Sequence, residues 1–335
     1  MTTAQRALLD DYFDTLVRCD PAAATDLVMD LQESGASLGE IIQDVLAPAQ
    51  TRVGELWERG EWSVAQEHTA TAVTEAAVSA LWVATTRRQL SGGPRVAIAC
   101  AEGEWHALPA RMAAAQAAEA GANVTVLAPS MPADHLQRRL AVGDIDVLAL
   151  SCTVPANLVG AARCVAAAHA VGLPVVVGGR AFAGRQLRAG AIGADLLADA
   201  PEKLCELPSA AGDDPVVPEE ALRLDDVPNT TADELLARVV AASPSLADLP
   251  SAHRDRTRED LRWIVRFTGA AVLTDDPTLL DDFLGSLLRI LHGRVPDDVV
   301  LGGAAVAADG IEPRAPRGAT MLREAVRRAR EARRA

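Results

Sequence analysis

Residues 94–109, PRVAIACAEGEWHALP, determine the fold that we predict for the middle of the chain. The apolar run from Arg95 to Cys100 is typical of a strand buried on both faces of a parallel sheet. Pro109 suits the first turn of the alanine-rich helix that follows. The segment Glu104-Trp105-His106 therefore lies at the carboxyl end of the first strand, and ligands bind at that edge of doubly wound sheets.

The next hundred residues repeat this alternation of strand and helix. Helical stretches at 135–141 and 158–170 separate further apolar runs. The predicted strands after the first are Asn123–Ala128, Asp146–Ser151, Pro174–Gly178 and a short Ala194–Ala198. This order predicts a flavodoxin-like α/β domain over residues 91–206.

Polar and small residues follow several of these strands. A neutral imidazole such as that of His106 is a good ligand for a borderline metal, and Glu104 can accept its other ring N–H. Small residues and hydroxyls at neighbouring strand ends leave a slot for a long ligand tail. The residues expected to line this slot are Ser151, Thr153, Gly178 and Gly179.

Residues 92–205 resemble a cobalamin-binding domain of the base-off, His-on type. The motif of that family is Asp-x-His-x-x-Gly, then Ser-x-Leu or Ser-x-Thr, then Gly-Gly. This chain has Glu104-x-His106-x-x-Pro109, then SCT at 151–153, then GG at 178–179. The resemblance implies that His106 is the axial ligand of cobalt, with Trp105 beside it. Glutamate lengthens the reach of the carboxylate, and Pro109 removes an N–H where the family has glycine.

Residues 1–90 predict a four-helix bundle, with helical segments at 4–18, 21–33, 38–58 and 63–88. The turn between the third and fourth helices is preceded by Trp57 and followed by the pair Glu67-His68, with nine residues between Trp57 and Glu67. This spacing can bring all three side chains to one end of the bundle. The spacing Trp-x9-Glu-His resembles that of the light-sensing cobalamin proteins related to the carotenoid-gene repressors. The resemblance implies that the bundle caps adenosylcobalamin and that light changes the assembly of a homo-oligomer.

Two other classes share parts of this pattern. A corrinoid carrier for methyl transfer would use His106 in the same way but lacks the tryptophan and the Glu-His pair. An adenosylcobalamin-dependent mutase would need a substrate barrel, for which the sequence gives no pattern. We therefore expect a non-enzymatic photoreceptor, with the methyl carrier as the alternative.

After a linker at 207–229, residues 230–335 predict an all-α domain. Its helix order resembles the globin-like bilin module of the photocobilins, which implies a second chromophore, biliverdin, or haem in its place. No cysteine lies beyond Cys205, so such a pigment would be held noncovalently. The residues expected to contact it are Arg262, Trp263, Arg266, Phe267, Arg289 and His292.

Composition limits the remaining possibilities. The formal net charge of −14 argues against binding to a phosphate backbone. We also expect no DNA-binding domain before the bundle, whose pattern begins within a few residues of Met1. We expect a cytoplasmic protein, since the sequence has neither a signal peptide nor an apolar run that could span a bilayer. His135 and His169 lie on predicted helices and are expected at the surface. The sequence names no downstream partner.

Overall fold

The computed structural model describes residues 3–86, 92–198, 203, 208, 210–227, 229–242 and 251–334. Its first part is the predicted helical bundle. Asp20 accepts a hydrogen bond from the N–H of Ala23 and caps the second helix, and Ser37 and Glu40 form the predicted capping box of the third. The helices are α1 (Thr3–Val17), α2 (Pro21–Glu33), α3 (Leu38–Ile41), α4 (Ala47–Glu58) and α5 (Val64–Thr86).

One π-helical turn, Ile42–Leu46, joins α3 to α4 where the sequence predicted a single regular helix. Pro48 follows this turn, and its ring nitrogen has no hydrogen to donate to the carbonyl one turn earlier. The wider turn accommodates that missing bond, and the N–H of Ala47 donates to the carbonyl of Ile42. The helical axis thus continues to Trp57.

The middle of the chain is the predicted parallel sheet, with strand order β2-β1-β3-β4-β5. β1, β3 and β4 are buried almost throughout, because helices cover both faces. The strands are β1 (Arg95–Cys100), β2 (Asn123–Val126), β3 (Val147–Ser151), β4 (Val175–Gly178) and β5 (Leu196–Leu197). The helices are α6 (Ala107–Glu119), α7 (Ala133–Leu140), α8 (Leu158–His169) and α9 (Gln186–Ala191), with a 3₁₀ turn at Pro155–Asn157.

The last part of the chain is all-helical, as predicted. Its elements are α10 (Glu219–Asp225), α11 (Asn229–Ala242), α12 (Ser251–Thr274), α13 (Thr278–Leu291), α14 (Asp297–Ile311) and α15 (Pro316–Ala332). α10 lies inside the predicted linker, where proline and acidic residues suggested irregular chain. Ala221 and Leu224 of this helix are buried, and Gly269 and Gly318 allow the close approach of α12 and α15 to it.

The C-terminal helices share one hydrophobic core with the sheet. Buried residues of β3, β4 and α8 belong to the same apolar cluster as those of α12 to α15. The bundle has a separate core, which reaches the α/β domain through Leu108, Met112 and Ala115 on α6. No helix in the described residues is long and apolar enough to cross a membrane.

The prediction that His169 lies at the surface is wrong. Its side chain is buried at the end of α8, and its Nε2 atom lies 3.0 Å from a carboxylate oxygen of Asp195. Asp195 also accepts hydrogen bonds from the backbone N–H groups of Val175 and Gly212. The histidine was misplaced because segment 210–218, which covers this end of the sheet, has no periodicity that indicates its path.

A buried ion pair fastens the C-terminal domain to the sheet domain. The Arg188 guanidinium lies 2.9 Å from the Asp276 carboxylate, and both side chains are almost wholly buried. Arg185 reaches the same carboxylate from a more exposed position, at 3.2 Å. A buried carboxylate that loses its main partner is costly, whereas an exposed pair contributes little.

We expect Arg188→Met to lower the free energy of unfolding by about 3 kcal/mol, near the lower end for a broken buried pair, because Arg185 still contacts Asp276. Chemical denaturation measures this change. Arg185→Met is the matched control and should cost less than about 1 kcal/mol. Equal effects of the two substitutions would contradict a dominant role for the buried pair.

Candidate functional site

The loop after β1 is organised around the carboxylate of Glu104, whose side chain is 0% exposed. One oxygen accepts the backbone N–H groups of Thr153 and Val154, each at 2.8 Å, and the Asn157 amide at 3.1 Å. The other oxygen accepts the backbone N–H of His106 at 3.0 Å and lies 2.5 Å from its ring Nδ1. The carboxylate therefore ties the loop after β1 to the loop after β3.

These contacts set the protonation of both side chains. Burial by itself raises the pKa of Glu104, but hydrogen bonds from His106 and Val154 outweigh it and bring that pKa down to about 2. The hydrogen bond to Glu104 raises the pKa of His106, against its partial burial, and the charge of Glu67 adds to this effect. In the neutral imidazole, an ionised Glu104 holds the proton on Nδ1, and Nε2 is then the ring nitrogen with a free lone pair.

His106 stands directly before α6 and its side chain is 58% exposed, so its ring is accessible to a ligand. Trp105 is 72% exposed beside it. Pro109 is the third residue of α6, as the sequence predicted for a first-turn proline. The N–H that it lacks would have no partner inside the helix at that position, so the helix loses no hydrogen bond.

The predicted slot forms where β3 and β4 end side by side, with Ser151 paired in register with Gly178. Thr153 has a buried hydroxyl oxygen without a hydrogen-bond partner among the described residues. Gly179 has φ +109°, and a Cβ there would lie 2.3 Å from the Cys152 carbonyl oxygen. A buried hydroxyl without a partner and a backbone that only glycine permits fit a ligand tail that enters between the strands.

In the ligand-free protein, Gly179→Ala should lower the free energy of unfolding by about 1–3 kcal/mol through backbone strain. The clash of the new Cβ with the Cys152 carbonyl oxygen adds to this loss. Gly178→Ala is the matched control, because its Cβ would meet only the Ala198 carbonyl oxygen at 3.5 Å. Thermal unfolding of both variants measures the difference. If Gly179→Ala unfolds like Gly178→Ala, the backbone at position 179 does not require glycine.

The bundle contributes Glu67 and His68 from α5 and Trp57 from the end of α4. Glu67 accepts a hydrogen bond from Thr71 at 3.2 Å and lies 3.3 Å from His68 Nε2. His68 is exposed and Trp57 is half-buried, so both present surface that a ligand could cover.

A cavity of about 580 Å³ lies between the bundle and the C-terminal domain. Trp57 and Trp62 line it on one side, and apolar residues of α12, α13 and α14 line it on the other. Its charged residues are Arg256, Asp260 and Arg294. Arg256 lies 3.5 Å from Asp260, whose pKa is raised by burial.

The residues predicted to contact a bilin do not line this cavity. Arg262 lies 3.6 Å from Glu259, Arg266 donates to Asn157, and Arg289 donates to Glu58. His292 lines a separate pocket beside Arg289.

The two predicted aromatics pack together instead. Trp263 lies 6.4 Å from Phe267, which stacks on Phe283 at 4.0 Å between ring centroids. Sequence reasoning missed Arg256 and Asp260, although their spacing of four residues puts both on the helical face of Ile264.

Two parts of the chain match known families. Residues 8–81 and residues 94–207 each match a model described as a B12 binding domain. The first match is the helical bundle and the second is the α/β domain. The protein is thus a cobalamin-binding protein with a B12-binding cap, which confirms the resemblance to cobalamin-binding domains at this level.

The chain is similar to several solved structures, and the first of those named below shares its fold. The monomethylamine corrinoid protein of Methanosarcina barkeri is 17% identical with a TM-score of 0.52, over 60% of this chain and 96% of that chain. The methanol:cobalamin methyltransferase complex of the same organism is 14% identical with a TM-score of 0.32, over 60% of this chain and 77% of that chain. A cobalamin-binding protein from Desulfitobacterium hafniense DCB-2 is 19% identical with a TM-score of 0.32, over 59% of this chain and 97% of that chain. No curated protein matches the chain significantly.

Proposed function

We propose that the protein is a non-enzymatic light sensor that binds adenosylcobalamin between the bundle and the α/β domain. The feature that carries this proposal is the Trp-x9-Glu-His spacing of Trp57, Glu67 and His68, of which Glu67 and His68 lie 3.3 Å apart on α5. A large aromatic, a carboxylate and an imidazole are groups that suit a nucleoside, which offers a flat base and hydroxyls. A methyl group offers none of these contacts.

His106 is the proposed axial ligand of cobalt. Support comes from its accessible ring and from Glu104, which fixes the tautomer with Nε2 unprotonated. The hydroxyls of Ser151 and Thr153 and the close approach permitted by Gly179 suit the nucleotide tail of the cofactor. When bound, adenosylcobalamin supplies a cobalt–carbon bond that light breaks.

The response of the protein is a displacement of the bundle. The bundle keeps its own core and meets the α/β domain along α6, whereas the C-terminal domain shares a core with the sheet. Ligand contacts made by Trp57, Glu67 and His68 would favour one position of the bundle, and their loss would favour another. We expect this change to alter the assembly of a homo-oligomer.

Protein loaded with adenosylcobalamin in the dark should differ in assembly from the same protein after illumination. Size-exclusion chromatography with light scattering measures this difference. Trp57→Ala should abolish the response and the preference for adenosyl- over methylcobalamin, while Trp57→Phe keeps an aromatic ring and should retain part of both.

Two results would overturn this proposal. Identical dark and illuminated profiles of the wild type reject the switch. Equal affinity of the wild type for methyl- and adenosylcobalamin favours the corrinoid carrier instead.

The cavity between the bundle and the C-terminal domain favours a second, noncovalent chromophore, and we propose biliverdin. Its volume of about 580 Å³ lies within the range of small-molecule sites. Arg256 and Arg294 supply cations for two propionates, and apolar side chains such as Ile264 and Leu287 would contact the pyrrole rings. No cysteine follows Cys205 in the sequence, which excludes a thioether from this domain.

Gly303→Phe should fill the cavity and remove biliverdin binding, because Gly303 lines the cavity on α14. Gly302→Phe on the same helix is the matched control, since a Cβ there meets nothing within 4 Å. The red absorption band retained through gel filtration measures the bound pigment. Equal retention by both variants, or none by the wild type, would exclude this site.

A further inference from the structure

Asn157 connects the Glu104 carboxylate to the C-terminal domain. Its side chain is 1% exposed, and its Nδ2 atom donates to Glu104 at 3.1 Å. Its Oδ1 atom accepts a hydrogen bond from the Arg266 guanidinium of α12 at 2.8 Å. The amide therefore stands between a carboxylate of the α/β domain and a cation of a different domain.

These two partners leave only one orientation for the amide. A carboxylate accepts and a guanidinium donates, so Nδ2 must face Glu104 and Oδ1 must face Arg266. With the amide reversed, its oxygen would face the Glu104 carboxylate and its NH₂ group would face the guanidinium. Arg266 thus orients Asn157, and Asn157 in turn donates to the carboxylate that holds His106.

Arg266 is itself held firmly beside this loop. Its Nε atom lies 3.3 Å from Asp225 of α10, and a Cβ built on Gly103 would lie 3.0 Å from its Nη2 atom. Asp225 also pairs with Arg163, which reaches Glu102 at 2.6 Å. Two guanidiniums and two carboxylates thus bind the loop after β1 to α10 and α12.

From this chain of hydrogen bonds we infer that Arg266 is a positioning residue for His106, supplied by the C-terminal domain. The inference depends on the proposed role of His106 as the cobalt ligand. Docking of α12 favours the Asn157 orientation that donates to Glu104, and Glu104 then presents the Nε2 lone pair of His106. By thermodynamic reciprocity, coordination of His106 to cobalt favours the docked α12.

The effect of Arg266 should be smaller than that of a direct partner of the ligand. Loss of a hydrogen-bond partner of a metal-binding histidine typically lowers metal affinity 10- to 100-fold. Arg266 acts through one further side chain, so we expect Arg266→Ala to shift the ratio of His-on to His-off cobalamin by about 3- to 10-fold. Arg266→Lys keeps a donor and a cation and should restore part of this ratio.

Electron paramagnetic resonance of bound cob(II)alamin reports the axial ligand directly. Protein labelled with ¹⁵N-histidine should give a doublet splitting from its imidazole, whereas unlabelled benzimidazole gives a triplet and a vacant axial position gives neither. The doublet fraction is measured for the wild type, Arg266→Ala, Arg266→Lys and Arg185→Ala. Arg185 is the matched control, because it bridges the same two domains through Asp276 and Thr278 without touching Asn157.

The doublet fraction should fall in Arg266→Ala, recover partly in Arg266→Lys and stay at the wild-type value in Arg185→Ala. In an Asn157→Ala background, Arg266→Ala should have no additional effect, since its action passes through the amide. Hydrogen exchange of α12 in the protein without cofactor shows whether each variant still docks this helix, so a folding defect is recognised separately.

Two failures are distinguishable. If His106→Ala leaves the doublet unchanged, the proposed cobalt ligand is wrong and the inference falls with it. If His106→Ala removes the doublet but Arg266→Ala and Arg185→Ala behave alike, the ligand assignment stands and the coupling through Arg266 is rejected.

Discussion

The arrangement of the site depends on one buried carboxylate. Glu104 is wholly buried, and its two oxygens accept hydrogen bonds from the loop after β1, the loop after β3 and the 3₁₀ turn. An ionised carboxylate in such surroundings is stable only because these donors replace the water that it loses. The same bonds place His106 at the end of the sheet with a defined tautomer. The position of the imidazole ring and its tautomer therefore both depend on Glu104.

His106 lies where the two helical parts of the protein meet the α/β domain. The bundle packs on α6, which begins directly after the histidine, through Leu108 and Met112. α12 packs on the 3₁₀ turn that contains Asn157, on the other side of Glu104. A change at the imidazole is therefore adjacent to both interfaces, that of the bundle with α6 and that of α12 with the sheet domain.

The sequence predicted the elements better than the contacts between them. The alternation of apolar strands and helices located β1 to β5, and the Glu104–His106 contact follows from their spacing in one short loop. Hydrophobic periodicity carries no information on which helix faces pair at long range. For this reason Arg266 and Arg289 could be named as cations of α12 and α13, but their distant partners Asn157 and Glu58 could not. The helix α10 was missed because seven residues are too few for a clear period.

The shared core has a practical consequence for dissecting this protein. The second B12 binding match ends at residue 207, yet the apolar surface of α8 and the neighbouring strands is covered by helices that come later in the chain. A fragment that stops at that boundary would present this surface to water and leave Arg188 without its carboxylate partner. The residue at which the family match ends is therefore not the end of an independently folding domain. A protein truncated there should aggregate rather than fold as an isolated cobalamin-binding domain.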